Sequence, residues 1–254
     1  MKQIPNLFTL LNLVFGCMAI IFILQTGESI LYLAPEGFTS INLPEKITWG
    51  CICIFGAAVV DFLDGFVARL FKATSPMGNQ LDSLADAVSF GVAPGMIFYQ
   101  LLRMSFAQSE GGLDTSIIYL LPALLIPCAA VWRLAKYNLD NSQQYSFKGV
   151  PTPAIGLLTA CLPMIIFYQQ MNLNELLLNH WVLYGLIILL SYLMVSNIPL
   201  MSLKFRNFTF KDNMPKVILA VIVIIAAITL KWVAAPVVLL AYVLVSLAFK
   251  NKST

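Results

Sequence analysis

Charge is what this chain most lacks. Only 11% of its 254 residues are Asp, Glu, Lys or Arg, against about 25% in an ordinary globular domain, and 59% are hydrophobic. Such a composition excludes a water-soluble fold with a charged shell. The net charge of +3 comes without any Lys/Arg run, so there is no footprint for nucleic acid. The single histidine, His180, falls beside Trp181 in an expected external loop and reads as an interfacial residue without a catalytic part. The five cysteines, at 17, 51, 53, 128 and 161, lack zinc-site spacing and fall inside apolar segments, where they are expected as buried free thiols. No Gly/Ser linker, low-complexity tract or internal repeat divides the chain.

What is present is a succession of apolar stretches long enough to cross a hydrocarbon core about 30 Å thick. Eight are expected, near residues 5–25, 47–72, 80–104, 114–137, 151–171, 177–197, 215–231 and 233–250. The alternative for the last pair is a single re-entrant segment. The fold class that follows is all-α, a polytopic membrane helical bundle. Residues 1–200 would form a six-helix core, and residues 201–254 a cytoplasmic loop with C-terminal hydrophobic helices. The first segment has no small-residue cleavage site after it and is expected to be retained as a helix. With eight spans and a cytoplasmic N-terminus, one side receives 12 of the 15 basic residues, Arg69, Arg133, Lys136 and Lys148 among them. The positive-inside rule makes that side the cytoplasm. Pro122, Pro127, Pro163, Pro199 and Pro236 fall within these spans and are expected to kink them.

Ionisable groups inside a membrane cost a few kcal/mol each on insertion scales and mark functional sites. Four carboxylates nevertheless occur within 26 residues: Asp61 and Asp64 near the end of the second segment, Asp82 and Asp86 near the start of the third. Residues three and four apart share a helix face. Residues 73–79 read as a turn, so the two helices should be antiparallel neighbours with facing acids. Four converging carboxylates require counter-charge, and oxygen-only ligands favour hard cations such as Mg²⁺ or Mn²⁺. Two such ions about 4 Å apart can clamp a pyrophosphate. Gly65 and Ala68 leave room for a bulky ligand, and Arg69 offers a cationic fork for phosphate; the plainer alternative is tight helix packing with a snorkelling arginine.

The string Asp61-x-x-Asp64-Gly65-x-x-Ala68-Arg69, eight residues, Gly78-x-x-x-Asp82-x-x-x-Asp86 resembles the signature of the CDP-alcohol phosphatidyltransferase family at every defined position. The resemblance implies a polytopic, commonly homodimeric enzyme whose polar cavity faces the cytoplasm, in the inner membrane if the source is bacterial. It implies Asp61, Asp64, Asp82 and Asp86 as ligands of two divalent cations (Mg²⁺ or Mn²⁺), Asp86 as general base as well, and Asp61, Gly65, Ala68, Arg69, Ser75 and Gly78 against the CDP-diacylglycerol. Three further segments resemble a branch of that family whose acceptor is L-serine: Ser89-Phe90-Gly91-Val92-Ala93-Pro94, Arg133-Leu134-Ala135-Lys136-Tyr137-Asn138 and Phe147-Lys148-Gly149-Val150-Pro151-Thr152-Pro153. The opening Ile4-Pro5-Asn6, with Thr9, Asn12 and Gly16, matches as well. Lys136 stands where that branch frequently carries arginine.

CDP-diacylglycerol and L-serine, with membrane lipid around them, are thus the expected partners. Arg133 is the first candidate for the acceptor carboxylate, with Lys148 and Lys136 after it; binding lipid phosphate is the other use for these three. Asn6, Thr9 and Asn12 make one polar face on the first helix, set to line the cavity or to hydrogen-bond between helices. Two other readings stay open at this point. One is a different acceptor, glycerol 3-phosphate or inositol phosphate. The other is a cation transporter, against which stands the clustering of all four acids at one membrane edge.

Overall fold

The structure is a computed structural model, and it describes residues 4–25, 27–34, 37–43, 46–71, 75–108, 114–139, 147–200 and 210–248. The described chain is a helical bundle. Helix α1 (Ile4–Leu24) leads through an antiparallel hairpin, β1 (Glu28–Ala34) and β2 (Gly37–Leu43), to α2 (Ile47–Leu70). Helix α3 (Pro76–Ala87) runs through a π-helical turn at Val88–Val92 directly into α4 (Ala93–Ala107). After 3₁₀ turns at Ile117–Tyr119 and Leu121–Leu124 come α5 (Leu125–Leu139), β3 (Phe147–Lys148), α6 (Thr152–Phe167), the single-turn α7 (Asn174–Leu177) and α8 (His180–Val195). The chain ends with β4 (Pro199–Leu200), α9 (Phe210–Leu230) and α10 (Ala234–Ala248).

Four described stretches are long and apolar enough to cross a membrane: Pro5–Leu24, Ile47–Leu70, Pro76–Ala107 and Val217–Ser246; Thr152–Phe167 and His180–Val195 are shorter apolar helices. The Val217–Ser246 stretch is broken at Lys231, where φ is +48°, and α9 and α10 pack against each other across that break. Large apolar side chains such as Phe62, Ile188 and Ile228 lie on the outer surface at 68%, 62% and 75% exposure. On this scale such a surface suits lipid rather than water. This is a multi-pass membrane protein.

Element ends differ from the sequence expectation for identifiable reasons. The third helix starts at Pro76 rather than near residue 80, because Ser75 caps it: its hydroxyl accepts the Gly78 N–H at 3.0 Å, and Pro76 occupies the first turn, where its missing N–H costs nothing. The turn predicted over 73–79 is therefore helical from Pro76 on; residues 72–74 lie outside the described residues. Of the five prolines expected to kink spans, only Pro163 is inside a helix body. Pro122 sits in a 3₁₀ turn, Pro127 and Pro236 in the first turn of α5 and α10, and Pro199 in strand β4, beyond the end of α8. His180 is not in a loop; it opens α8, capped by Asn179, and stacks on Phe106 with ring centroids 4.9 Å apart. The cysteines are free, but only Cys51, Cys53 and Cys161 are buried, while Cys17 and Cys128 are exposed. In lipid an apolar side chain gains little from facing inward, so hydropathy does not choose its face. The cytoplasmic loop predicted after residue 200 falls at 201–209, outside the described residues.

The α3–α4 helix is the centre of the bundle, touching α1, α5, α6 and α8. Close approach is possible because small residues face its π turn. A Cβ on Gly16 would lie 2.4 Å from Ser89 Oγ, one on Gly156 2.9 Å from the Phe90 ring, and one on Gly91 2.9 Å from the Ala130 methyl. The Ser-Phe-Gly-Val-Ala-Pro segment is thus the contact surface for three other helices. The Phe-Lys-Gly-Val-Pro-Thr-Pro segment is a clasp. Phe147 and Lys148 pair with Leu200 and Pro199, Gly149 N–H donates to Ile198 O at 3.0 Å, and Val150 N–H to Leu193 O at 3.0 Å. Gly149, at φ +75°, also passes so close to the end of α8 that a Cβ would sit 2.6 Å from the Met194 carbonyl oxygen.

Candidate active site

The acids meet because α2 and α3 place them at matching levels. Asp64 lies six residues before the end of α2 and Asp82 six after the start of α3. At a rise of about 1.5 Å per residue, each is about 9 Å from its helix end. Asp61 and Asp86 lie nine and ten residues in, about 14 to 15 Å by the same rise. One carboxylate oxygen from each of Asp61, Asp64 and Asp82 falls within 4.8 Å of the others. Asp86 is not one of that trio, yet its carboxyl comes within hydrogen-bonding reach of Asp61 and is near Asp82 and Asp64 as well.

Helix α1 supports these acids. Thr9 Oγ1 donates to Asp64 Oδ2 at 2.8 Å, and Asn12 Nδ2 donates to Asp86 Oδ1 at 3.1 Å. Ser89, in the π turn, donates from Oγ to the backbone carbonyl of Asn12 at 3.0 Å. The polar face of α1 therefore does bond between helices, and its partners are the acids themselves. Asn6 approaches Gly78, where an added Cβ would lie 3.1 Å from Asn6 Oδ1.

The donor set fits a divalent cation. Asp64 and Asp86 are buried, at 6% and 8% exposure, and Asp82 Oδ1 is buried with no hydrogen-bond partner among the described residues. An unpaired buried carboxylate oxygen is costly unless a cation or donor meets it. An oxygen-only cluster suits a hard ion. Among the described residues, no atom beyond its own helix backbone lies within 4 Å of where a Cβ on Gly65 would stand, so the space beside the acids is open. Ala68 is half-buried and Arg69 exposed at the end of α2. The Ser75 oxygen is already engaged as the cap of α3.

Of the two candidate acceptor cations whose side chains are described, the structure brings one near the acids. Arg133, on α5, is 8% exposed; its Nη1 donates to Thr152 Oγ1 at 3.2 Å, its Nε has no partner among the described residues, and Asp86 is among its electrostatic neighbours. Lys136, one turn on, donates instead to Asn197 Oδ1 at 2.6 Å, alongside the clasp. Lys148 contributes its backbone to β3, and its side chain lies outside the described part. Three residues without an assigned role in the sequence reading prove to matter: Thr152, which holds Arg133, Ser89, which holds Asn12, and Tyr242 of α10, which lies in electrostatic reach of Arg133 and hydrogen-bonds with Ser246. Thr152 and Ser89 stood inside quoted motifs; nothing in the sequence singled out Tyr242.

Known proteins are similar in sequence to much of this chain. A CDP-diacylglycerol–serine O-phosphatidyltransferase of Helicobacter pylori (strain J99) is 34% identical over 199 residues, covering 76% of this chain and 70% of its own. The Bacillus subtilis (strain 168) protein of that name is 33% identical over 204 residues, 78% of this chain and 89% of its own. An archaetidylserine synthase of Methanothermobacter thermautotrophicus is 28% identical over 143 residues, 55% of this chain and 57% of its own. The family model for CDP-alcohol phosphatidyltransferase matches residues 2–250. That match takes in the acid cluster and nearly the whole chain, which therefore belongs to the CDP-alcohol phosphatidyltransferase family.

Proposed function

We propose that the chain transfers the phosphatidyl group of CDP-diacylglycerol to the hydroxyl of L-serine, giving phosphatidylserine and CMP. The observation that carries the serine reading is Arg133: a buried guanidinium, tethered by Thr152, with Nε unpartnered among the described residues and Asp86 nearby. A planar cationic fork in that position suits a carboxylate. Similarity to proteins named for serine transfer points the same way. A phosphorylated acceptor would call for a denser set of cations, whereas Lys136 is bonded to Asn197.

Asp61, Asp64, Asp82 and Asp86 would hold two divalent cations, Mg²⁺ or Mn²⁺. When bound, these neutralise charge on the pyrophosphate. Gly65, Ala68, Arg69, Ser75 and Gly78 border the CDP moiety. Asp86 accepts the proton of the serine hydroxyl while its oxygen bonds to the β-phosphorus, the bond from that phosphorus to the CMP oxygen breaks, and CMP leaves with the electron pair. Asn12 keeps Asp86 oriented for this through its amide. Positioning and electrostatics supply most of the acceleration, the base a factor of about 10² to 10⁴. The active site faces the cytoplasm, residues 1–200 form the catalytic core, and the working unit is a homodimer, a point that crosslinking in native membranes checks.

The test is CMP release by detergent-solubilised protein given CDP-diacylglycerol and Mn²⁺ or Mg²⁺, with serine, glycerol 3-phosphate and inositol phosphate offered separately. Turnover with serine alone, lost on chelation and in Asp86→Asn, is the expected result. Turnover only with a phosphorylated acceptor would overturn the serine assignment and leave the family intact.

A further inference from the structure

Two buried polar atoms beside Asp86 lack a hydrogen-bond partner among the described residues, Asn12 Oδ1 and Arg133 Nε. Their residues are 0% and 8% exposed. Buried polar groups are nearly always paired, and an orphan needs a reason. These two are opposite in kind: the first can only accept, the second can only donate and carries positive charge.

The sense of the Asn12 amide follows from its neighbour. Asp86 Oδ1 lies 3.1 Å from Nδ2, and a carboxylate accepts but does not donate, so the amide oxygen must turn away from it. The helix cannot rotate to relieve the orphan. Ser89 Oγ holds the Asn12 carbonyl at 3.0 Å, and Gly16 packs one turn on with no space for even a Cβ against Ser89. Arg133 is likewise fixed, one arm being bonded to Thr152.

An α-amino acid carries the complementary pair, an ammonium that only donates and a carboxylate that only accepts. We propose that Asn12 Oδ1 receives the acceptor's ammonium while Arg133 takes its carboxylate, which makes Asn12 a specificity-determining residue that selects a zwitterionic amino alcohol. This rests on the serine reading above. Asp86, in contact with Asn12 and near Arg133, then meets the hydroxyl. Glycerol 3-phosphate and inositol phosphate can offer the amide oxygen only a neutral hydroxyl, a weaker partner than an ammonium.

The test uses the full chain in detergent with three acceptors: L-serine, 3-hydroxypropanoate, which lacks the ammonium, and ethanolamine, which lacks the carboxylate. Asn12→Ala also removes a bond to Asp86 and slows all three, so the readout is the ratio of kcat/KM values. The preference for serine over 3-hydroxypropanoate should fall by about tenfold or more, the worth of one hydrogen bond to a charged group, while the preference for serine over ethanolamine stays within about threefold; Arg133→Gln should do the reverse. Inhibition by L-alanine relative to propanoate gives the same comparison without turnover and serves if Asn12→Ala is too slow to assay. An unchanged serine to 3-hydroxypropanoate ratio in Asn12→Ala, or an unchanged alanine to propanoate ratio, overturns the assignment and leaves Asn12 as a support for Asp86 alone. Wild-type protein that uses a phosphorylated acceptor and not serine defeats the serine reading itself, a result visible before any variant is made.

Discussion

Thr152→Val tests how Arg133 is held. Thr152 is fully buried at the start of α6, and its hydroxyl oxygen accepts from Arg133 Nη1 at 3.2 Å. Valine has nearly the same volume, so the change removes the acceptor and leaves the packing. Hydrogen bonds to a charged group contribute about 1.5 to 3 kcal/mol. The 3.2 Å separation lies at the long end of the usual range, which favours the lower figure. About 1.5 kcal/mol corresponds to a factor of roughly ten. If Arg133 binds the acceptor, steady-state kinetics with each substrate varied in turn should show serine KM up about tenfold, CDP-diacylglycerol KM within about twofold, and Thr152→Ser near wild type. Unchanged serine KM, or an equal rise in both constants, would refute the argument, since the guanidinium would then matter only to the lipid or to the fold.

Gly65→Ala should leave the thermal unfolding of the detergent-solubilised protein within about 0.5 kcal/mol of wild type, because no described neighbour beyond its own helix backbone lies within 4 Å of the new methyl, yet it should raise CDP-diacylglycerol KM several-fold; a variant as active as wild type means the nucleotide does not pass there. Gly149→Ala should do the opposite, costing about 2 kcal/mol or more in stability, since φ is +75° and the methyl meets the carbonyls of Met194 and Ser196 at 2.6 and 2.8 Å; an unaltered melting curve would show that the clasp yields. Added Mn²⁺ should stabilise the protein without substrate, by about 2.7 kcal/mol at a hundred times its Kd, and Asp82→Asn should abolish that shift; a shift that survives would put the ion elsewhere.

The acids were legible because helical spacing fixes faces: i, i+3 and i, i+4 pairs on two helices joined by a turn have few ways to sit other than facing one another. A bundle of apolar helices was legible from composition, and the number and ends of its long spans less so. Ser75-Pro76 is a readable helix start, and applying capping chemistry to it would have moved the third helix to its observed origin. Other features depend on pairs far apart in the chain. Arg133 finds Thr152 nineteen residues on, and Gly149 folds onto the last turn of α8 more than forty residues later. Neither register is written in local periodicity. The polar face of α1 was visible, but that Thr9 would select Asp64 and Asn12 would select Asp86 depends on how α1 crosses both acidic helices. The side each cysteine faces was not legible, because a bilayer exerts no pull that separates inner from outer apolar positions.

The glycines of the motifs divide by what surrounds them, and the division explains how a bundle with little charge holds four acids in register. Gly16, Gly91 and Gly156 sit at or against the π turn that follows Asp86, and each would clash with its neighbour if it carried a Cβ. Helices in lipid associate through close packing and hydrogen bonds rather than through expulsion of water, so these contacts set the distance from α1, α5 and α6 to the segment that follows Asp86. Enlarging any one would push a helix outward by a few tenths of an ångström or more. The first bonds to lengthen would be those from Ser89 to Asn12 and from Asn12 to Asp86, at 3.0 and 3.1 Å. Gly65 has no such neighbour among the described residues. Its missing side chain serves no packing contact among the described residues, and the space it leaves opens beside the acids, where the proposed CDP-diacylglycerol would come close to the backbone.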